Sequence, residues 1–174
     1  GFRLGAYDRA RALVIDPDSV NANVAAGAAY TMLLHRTGEA RYSELGERAL
    51  AHAVELAPDD PDALAAYGTL LNEKMRYEEA YAALQPAVRR DPLSRHAQAQ
   101  LITALEGLGR LAEAREKLLV LMQMYPDYIF APAELGELLL NQGQIDVAVP
   151  YLRIAHAAKT SPRATFALAN AYLN

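Results

Sequence analysis

Small and apolar side chains recur every three or four residues along most of the chain, a spacing that places them on one face of an α-helix. Short polar turns that contain proline interrupt this pattern. The stretch ELAPDDPDALAAYG, residues 55–68, shows the chemistry of one interruption. Pro58 ends a helix because proline lacks an N–H group and disfavours the helical conformation in the preceding residue. Asp60 can cap the next helix, and Pro61 fits its first turn.

The same interruption returns at a nearly constant interval. Turn prolines stand at Pro17, Pro58, Pro92 and Pro126, so the first interval is 41 residues and the next two are 34. The stretches LAAYGTLL, QAQLITAL and PAELGELL follow three successive turns and align without gaps. In the segments that come after them, alanine and leucine stand four residues apart, as at Ala80 and Leu84. A fixed period of this length predicts stacked helix–turn–helix units that share a continuous core.

These residues resemble the tetratricopeptide repeat family, whose unit has a small residue in its first helix and a small residue followed by leucine or an aromatic residue in its second. The carriers are Gly68, Gly136, Tyr67, Leu71, Ala80, Leu84, Ala87 and Pro92. The resemblance implies an all-α, right-handed α-solenoid over residues 1–174. Its expected units are a lone second helix in 1–19, repeats at 20–60, 61–94, 95–128 and 129–161, and a lone first helix at 162–174. We therefore expect a piece of a longer solenoid.

Two departures from the repeat pattern predict local changes in packing. Ile102 and Leu121 stand where the third complete repeat should have small residues, so we expect its two helices to lie farther apart than those of its neighbours. The long first interval carries additional residues, which we assign to the segment 35–43. This segment should form an exposed, extended connection between the helices of its repeat, or add a turn to the second helix.

Composition excludes several functional classes. The chain is 52% hydrophobic and 22% charged, which is typical of folded proteins that do not span membranes. It contains no cysteine, which excludes disulfides, thiolate catalysis and cysteine-based zinc sites and leaves the compartment open, cytoplasmic or periplasmic. The net charge of −4 argues against a nucleic-acid partner, because binding to phosphates requires a basic face.

The sequence contains no recognisable catalytic or metal-binding motif. None of its histidines belongs to an H-E-x-x-H pair or has a carboxylate at ligand spacing on the same face; they are His35, His52, His96 and His156. A basic cluster could form an anion site, or its cations could simply complement the C-terminus of a helix, which we favour. This cluster comprises Arg89, Arg90, Arg95 and His96. We expect no enzymatic activity, no metal and no cofactor.

The resemblance implies that the first helices of the repeats line a concave groove that binds a protein partner. The polar, charged and aromatic side chains expected there are Asn21, Asp62, Thr69, Asn72, His96, Gln100, Thr103, Glu106, Phe130, Glu134, Glu137 and Asn141. Alanines form the floor between them. The charges are mostly acidic, so a basic or amphipathic helical partner suits the groove better than an acidic one, with Phe130 as its apolar anchor.

Two functions of different classes follow. The first is a non-catalytic scaffold that binds a peptide, a helix or a folded partner in the groove. The second is a structural spacer or self-association module of a multidomain protein, such as a bacterial signalling or envelope protein. Exposed apolar faces at the ends of the solenoid would favour the second function, because they invite end-to-end stacking.

An acidic C-terminal tail peptide should not bind this groove. One branch of the tetratricopeptide family grips such tails through ion pairs and amide donors on three successive first helices. With the grip started at each of the first three repeats in turn, the matching positions hold one suitable charge, Arg163, and a lone cation beside Glu134 and Glu137 would not hold a carboxylate. We expect titration calorimetry with an acidic tail peptide to show no binding. A low-micromolar affinity would contradict this interpretation of the groove.

Overall fold

The computed structural model describes residues 18–128, 130–159 and 162–173, and this part of the chain consists of α-helices joined by short turns. The helices are α1 (Val20–Thr37), α2 (Arg41–Leu56), α3 (Pro61–Glu73), α4 (Tyr77–Arg90), α5 (Arg95–Gly107), α6 (Leu111–Met124), α7 (Ala131–Asn141), α8 (Ile145–Ala157) and α9 (Pro162–Leu173). Each helix packs on the next one along the chain. Helices α1 to α8 therefore form four successive pairs, and α9 follows the last pair in an all-α solenoid of helical repeats.

Side-chain caps begin three of the first helices, as the polar turns predict. The capping residues Ser19, Asp60 and Ser94 each accept a hydrogen bond from the backbone N–H three residues later, at 3.2, 2.8 and 3.3 Å respectively. Pro61 occupies the first position of α3. These contacts satisfy N–H groups that have no partner within the helix. The positions at which these helices start are therefore set by local chemistry.

A left-handed residue ends the first helix of three pairs. The residues are Met75, Gly109 and Gly143, with φ of 57°, 71° and 72°. The N–H group of the following residue donates to a leucine carbonyl five residues earlier, and this bond is 2.9 Å long in all three turns. Such a turn closes the helix tightly and reverses the chain, so the second helix returns along the first.

A glycine in the first helix and a leucine in the second determine how closely most pairs approach. If Gly68 carried a Cβ atom, that atom would lie less than 3.0 Å from the side chain of Leu84. Gly27 and Gly136 have the same relation to Leu50 and Leu152. The leucines are buried, and they fill the space that a side chain on the glycine would need.

The third pair lacks this contact. Ile102 stands where the other pairs have glycine, and both Ile102 and Leu121 are buried. Among the four pairs, α5 and α6 have the sparsest backbone contacts, which agrees with the separation expected from these larger side chains. The fold therefore accommodates the bulk by moving two helices apart rather than by exposing either residue.

The additional residues of the first pair lie in its helices. Helix α1 has 18 residues and α2 has 16, and only residues 38–40 connect them. The extended connection expected in the segment 35–43 is therefore wrong, whereas α2, which begins at Arg41 and is longer than α4 and α6, agrees with the alternative of added residues in the second helix. The ring of Tyr30 stacks on that of Tyr42 with centroids 6.3 Å apart, so the lengthened helices pack on each other. The lone helix expected before Pro17 lies outside the described residues.

Polar side chains tie successive repeats together on the outer face. Between the first two pairs, Glu47 of α2 forms ion pairs with Lys74 and Arg76 in the α3–α4 turn. These two cations hold the pKa of Glu47 below its usual value. One repeat later, Arg110 lies over the ring of Tyr81, with Cζ 4.4 Å from the centroid. Lys74, Arg76 and Arg110 are thus partnered within the protein.

We expect Gly68→Ala to destabilise the protein, because the new methyl group would overlap the Leu84 side chain. Overpacking of this kind costs about 1–3 kcal/mol. Gly46→Ala is the matched control: it is also helical, and its Cβ would lie 3.4 Å from the nearest atom, an ordinary contact. The control should be neutral or stabilising, because alanine favours a helix more than glycine. Urea denaturation measures both, and equal midpoints would refute the assigned contact.

Candidate functional site

Four of the predicted groove residues meet in two direct contacts between the first helices α3 and α5. Thr69 Oγ1 lies 3.1 Å from His96 Nε2. Asn72 Nδ2 lies 2.8 Å from the backbone oxygen of Gln100 and 3.1 Å from its Oε1 atom. We call Thr69, Asn72, His96 and Gln100 the α3–α5 polar cluster. It joins two repeats across the groove surface.

The hydrogen-bond directions in the Thr69–His96 contact follow from the partners. The Thr69 hydroxyl donates to the backbone oxygen of Ala65 at 2.8 Å. A hydroxyl has one hydrogen, so Thr69 must accept from His96, and Nε2 of His96 carries the proton. Thr69 therefore has no proton left to offer a ligand.

An acidic and aromatic patch lies at the other end of the predicted site. It comprises Tyr128, Phe130, Glu134 and Glu137. Phe130 is 47% exposed, and its ring meets that of Tyr128 edge-on with centroids 5.9 Å apart. Glu134 lies one turn further along, in α7, and is partly buried. We call these four residues the acidic–aromatic patch.

The Glu134 carboxyl group is partly buried and lies near a second carboxylate. Burial raises the pKa of Glu134, and repulsion from Glu137 adds to this effect. Neither cause involves a cation, and the side chain of Arg163 in α9 lies outside the described part of the chain. Burial of a charge without a partner is unfavourable, so this carboxylate would be stabilised by a cation from outside the chain.

The basic residues considered as an anion site do not converge. Arg90 pairs with Asp59 at 2.6 Å, and Arg95 lies over the ring of Tyr128, with Cζ 5.4 Å from the centroid. The ring of His96 faces Thr69 instead. Three different neighbours hold these side chains, which favours the interpretation that Arg89 and Arg90 complement the C-terminus of α4.

The remaining predicted residues belong to neither group. Glu106 is partly buried and the other four are exposed; the set is Asn21, Asp62, Thr103, Glu106 and Asn141. The 34-residue register places Leu140, rather than Asn141, at the position of Asn72. The polar residues Asn21, Asn72, Thr103 and Asn141 therefore do not occupy equivalent positions in their repeats.

The separation of first helices changes along the groove. Helix α3 approaches both α1 and α5 closely, and α7 approaches α9 in the same way. Helices α5 and α7, both described throughout, make no comparably close approach. Ile102, Leu105 and Leu138 belong to the cluster of buried side chains that fills this part of the core. The acidic–aromatic patch therefore adjoins the widest spacing between successive first helices in the described structure.

The surface outside these two groups of residues has a cleft with apolar side chains in its lining. One cleft of about 390 Å³ lies between α4 and α6, with Val88, Leu101, Val120 and Met124 among its lining residues. In the described ranges there is no group of three or more histidine or acidic side chains that could hold a metal ion. None of the helices there has both the length and the apolar character needed to cross a bilayer.

Comparisons with proteins of known structure identify the fold. No family model matches the sequence, and no curated protein matches it. Solved structures do match. A crystal structure of MamA is 21% identical over 83% of this chain and 80% of its own, with a TM-score of 0.71. TTC0263, a thermophilic TPR protein of Thermus thermophilus, is 20% identical over 89% of this chain and 82% of its own, with a TM-score of 0.69.

A third match is YrrB, described as a TPR protein with an unusual peptide-binding site, at 19% identity and a TM-score of 0.67. It covers 91% of this chain and 78% of its own. The fold is that of the tetratricopeptide repeat proteins. At these identities the likeness concerns the fold alone, and the tetratricopeptide architecture accounts for the alternation of first and second helices in α1 to α9.

Two features of this tetratricopeptide solenoid were not indicated by the sequence. Tyr128 belongs to the acidic–aromatic patch but lies in the turn before α7, outside the positions assigned to the groove. The cleft between α4 and α6 also depends on distances between repeats. The aromatic residues near Phe130, in the stretch MYPDYIF, are the signal that could have identified Tyr128.

Replacing Glu134 by glutamine should stabilise the free protein at neutral pH. Because burial raises the folded-state pKa of Glu134, ionisation of this group opposes folding. The destabilisation is absent below the unfolded-state pKa of about 4.3 and develops as pH rises through the folded-state pKa. Urea midpoints of Glu134→Gln should exceed those of the wild type at pH 7 and match them near pH 4. A lower midpoint for the variant at pH 7, with Glu116→Gln unchanged as control, would contradict the assigned environment.

Proposed function

We propose that the chain is a non-catalytic scaffold whose groove binds a basic or amphipathic helical segment of a protein partner. The observation that carries the proposal is the partly buried Glu134 carboxyl group, which lies close enough to Glu137 for the two carboxylates to repel each other. A lysine or arginine of the partner would supply a positive charge. The ion pair would also offset the repulsion between Glu134 and Glu137.

Apolar contacts beside this carboxylate support the same choice of partner. The exposed ring of Phe130 lies on the turn that leads into α7, next to Tyr128. An amphipathic helix carries apolar and basic side chains at spacings of three and four residues, so it can contact an aromatic ring and a carboxylate together. The wide spacing between α5 and α7 favours a helical segment over an extended one.

The solved structures support a binding role at a coarser level. YrrB has the same fold and a peptide-binding site according to its description. Tetratricopeptide solenoids present extended concave surfaces because each repeat is rotated slightly against the last. The choice of a basic partner rests on this chain's own residues and not on the neighbours.

The proposal is tested with a synthetic amphipathic peptide of leucine and lysine, about 18 residues long so that it can form a helix. Calorimetry should detect binding to the wild type. Glu134→Lys with Glu137→Lys should weaken it at least tenfold, or about 1.4 kcal/mol. The control, Glu78→Lys with Glu116→Lys, makes the same change in net charge on the outer helices α4 and α6. Equal weakening by both variants would show attraction to the overall charge and would refute the site.

The alternative function is self-association through an end of the solenoid. A cleft of about 690 Å³ between α8 and α9 favours it, with Val149, Ile154, Leu168 and Tyr172 among its lining residues. Ile154 is 54% exposed and Tyr172 is 64% exposed. If the peptide does not bind and sedimentation velocity shows oligomers that Ile154→Asp abolishes, this alternative replaces the groove proposal.

A further inference from the structure

Asn72 is a buried side chain in the groove whose hydrogen bonds are only half satisfied. It is 7% exposed. Its Nδ2 group donates to two oxygens of Gln100, the backbone oxygen and Oε1. Its Oδ1 atom is buried without a donor, and it is the one such side-chain atom in the part of the chain that the structure describes. Buried polar atoms in folded proteins nearly always have partners.

The orientation of the Asn72 amide is fixed. The backbone oxygen of Gln100 can only accept a hydrogen bond, so the atom 2.8 Å from it must be the nitrogen. A flipped amide would bring two oxygens together and lose that bond. Thr69, one turn earlier, cannot help Oδ1 because its hydroxyl proton goes to Ala65. An unsatisfied acceptor of this kind opposes folding.

The side chain of Gln100 lies at the nitrogen end of the Asn72 amide. It accepts from Asn72 through Oε1, and its own amide nitrogen does not donate to Oδ1. The Gln100 side chain is partly exposed and can rotate away without disturbing its backbone oxygen. That oxygen would continue to orient Asn72. Removal of the Gln100 side chain would free the Nδ2 donor that now bonds to Oε1, and we expect it to give a ligand access to Oδ1 of the same amide.

We propose that Asn72, with Gln100 as its displaceable cover, is a subsite for the carboxamide of a glutamine or asparagine side chain of the partner. The incoming amide accepts from Nδ2 in place of Gln100 Oε1 and donates to Oδ1. Two hydrogen bonds then replace one. This inference rests on the proposed function, because the carboxamide belongs to the segment bound in the groove.

Other ligand groups fit the subsite less well. A carboxylate could accept from Nδ2 but would place a negative charge against Oδ1, and an ammonium group could donate but could not accept. The backbone amides of a helical partner already bond to one another, whereas its glutamine and asparagine side chains remain available. The position equivalent to Asn72 holds Glu106 in the next repeat and Leu140 in the one after, so the subsite is local to α3 and α5.

The test uses acetamide as the probe and follows side-chain amide resonances by ¹⁵N NMR on the whole chain. Acetamide should shift the Asn72 amide resonances saturably, while N,N-dimethylacetamide, which cannot donate, should not. Exposed Asn141 is the internal control and should show only a linear, non-saturating drift. The absence of a saturable shift at Asn72, or an equal response to both probes, overturns the inference.

Two variants complete the test. Gln100→Ala removes the cover and should lower the acetamide dissociation constant at least threefold, read at the same Asn72 resonance. Asn72→Leu should abolish every saturable acetamide shift at the backbone amides of neighbouring Thr69 and Gln100, which the same ¹⁵N spectra report. Weaker acetamide binding by Gln100→Ala overturns the inference even if Asn72→Leu fails to fold. Failure of the leucine–lysine peptide to bind at Glu134 is a separate result, because it refutes the proposed function at a different part of the groove.

Discussion

The contact between a glycine of the first helix and a leucine of the second governs the architecture of this solenoid. Where glycine is present, as at Gly68, the leucine occupies the space of the missing side chain and the two helices approach closely. Close pairs then present alanine-lined first helices that can stack on their neighbours. Ile102 removes this contact from the third pair, and the looser α5–α6 pair is the local consequence.

Polar groups on the outer face and in the proposed groove differ in how far their charges and hydrogen bonds are satisfied within the chain. On the outer face, Glu47 has two cationic partners and Arg110 covers a tyrosine ring, so charges are matched within the chain. In the groove, Glu134 has a raised pKa and Asn72 has an acceptor without a donor. Both cost folding free energy in the isolated protein. A partner that supplies a cation and an amide would recover this free energy on binding.

The two groups also divide the groove into regions of different chemistry. Glu134 lies one turn after Phe130, at the wide spacing between α5 and α7, where we propose that a cation on an amphipathic helix binds. Asn72 lies between closely packed α3 and α5, where a small, uncharged group fits. In the proposed complex, charge and apolar contact would supply attraction at one region, and the amide would select among basic partners at the other.

Local patterns in the sequence specify the period of the repeats, the starts of the capped helices and the alternation of small residues with leucine. These features depend on interactions between residues close in the chain, such as Asp60 with the first turn of α3 and Pro61 within it. Helical spacing also predicts which side chains share one face of a first helix, and the groove assigned to that face stays a prediction.

The location of the extra residues of the first pair depends on tertiary packing, because the stacking of Tyr30 on Tyr42 joins two different helices. Tertiary packing also decides that Asn72 bonds to Gln100, 28 residues away, and that Glu134 is partly buried. The reason is common to all three. Distances between repeats depend on how side chains fill the space between helices, and no local pattern in the sequence specifies that packing.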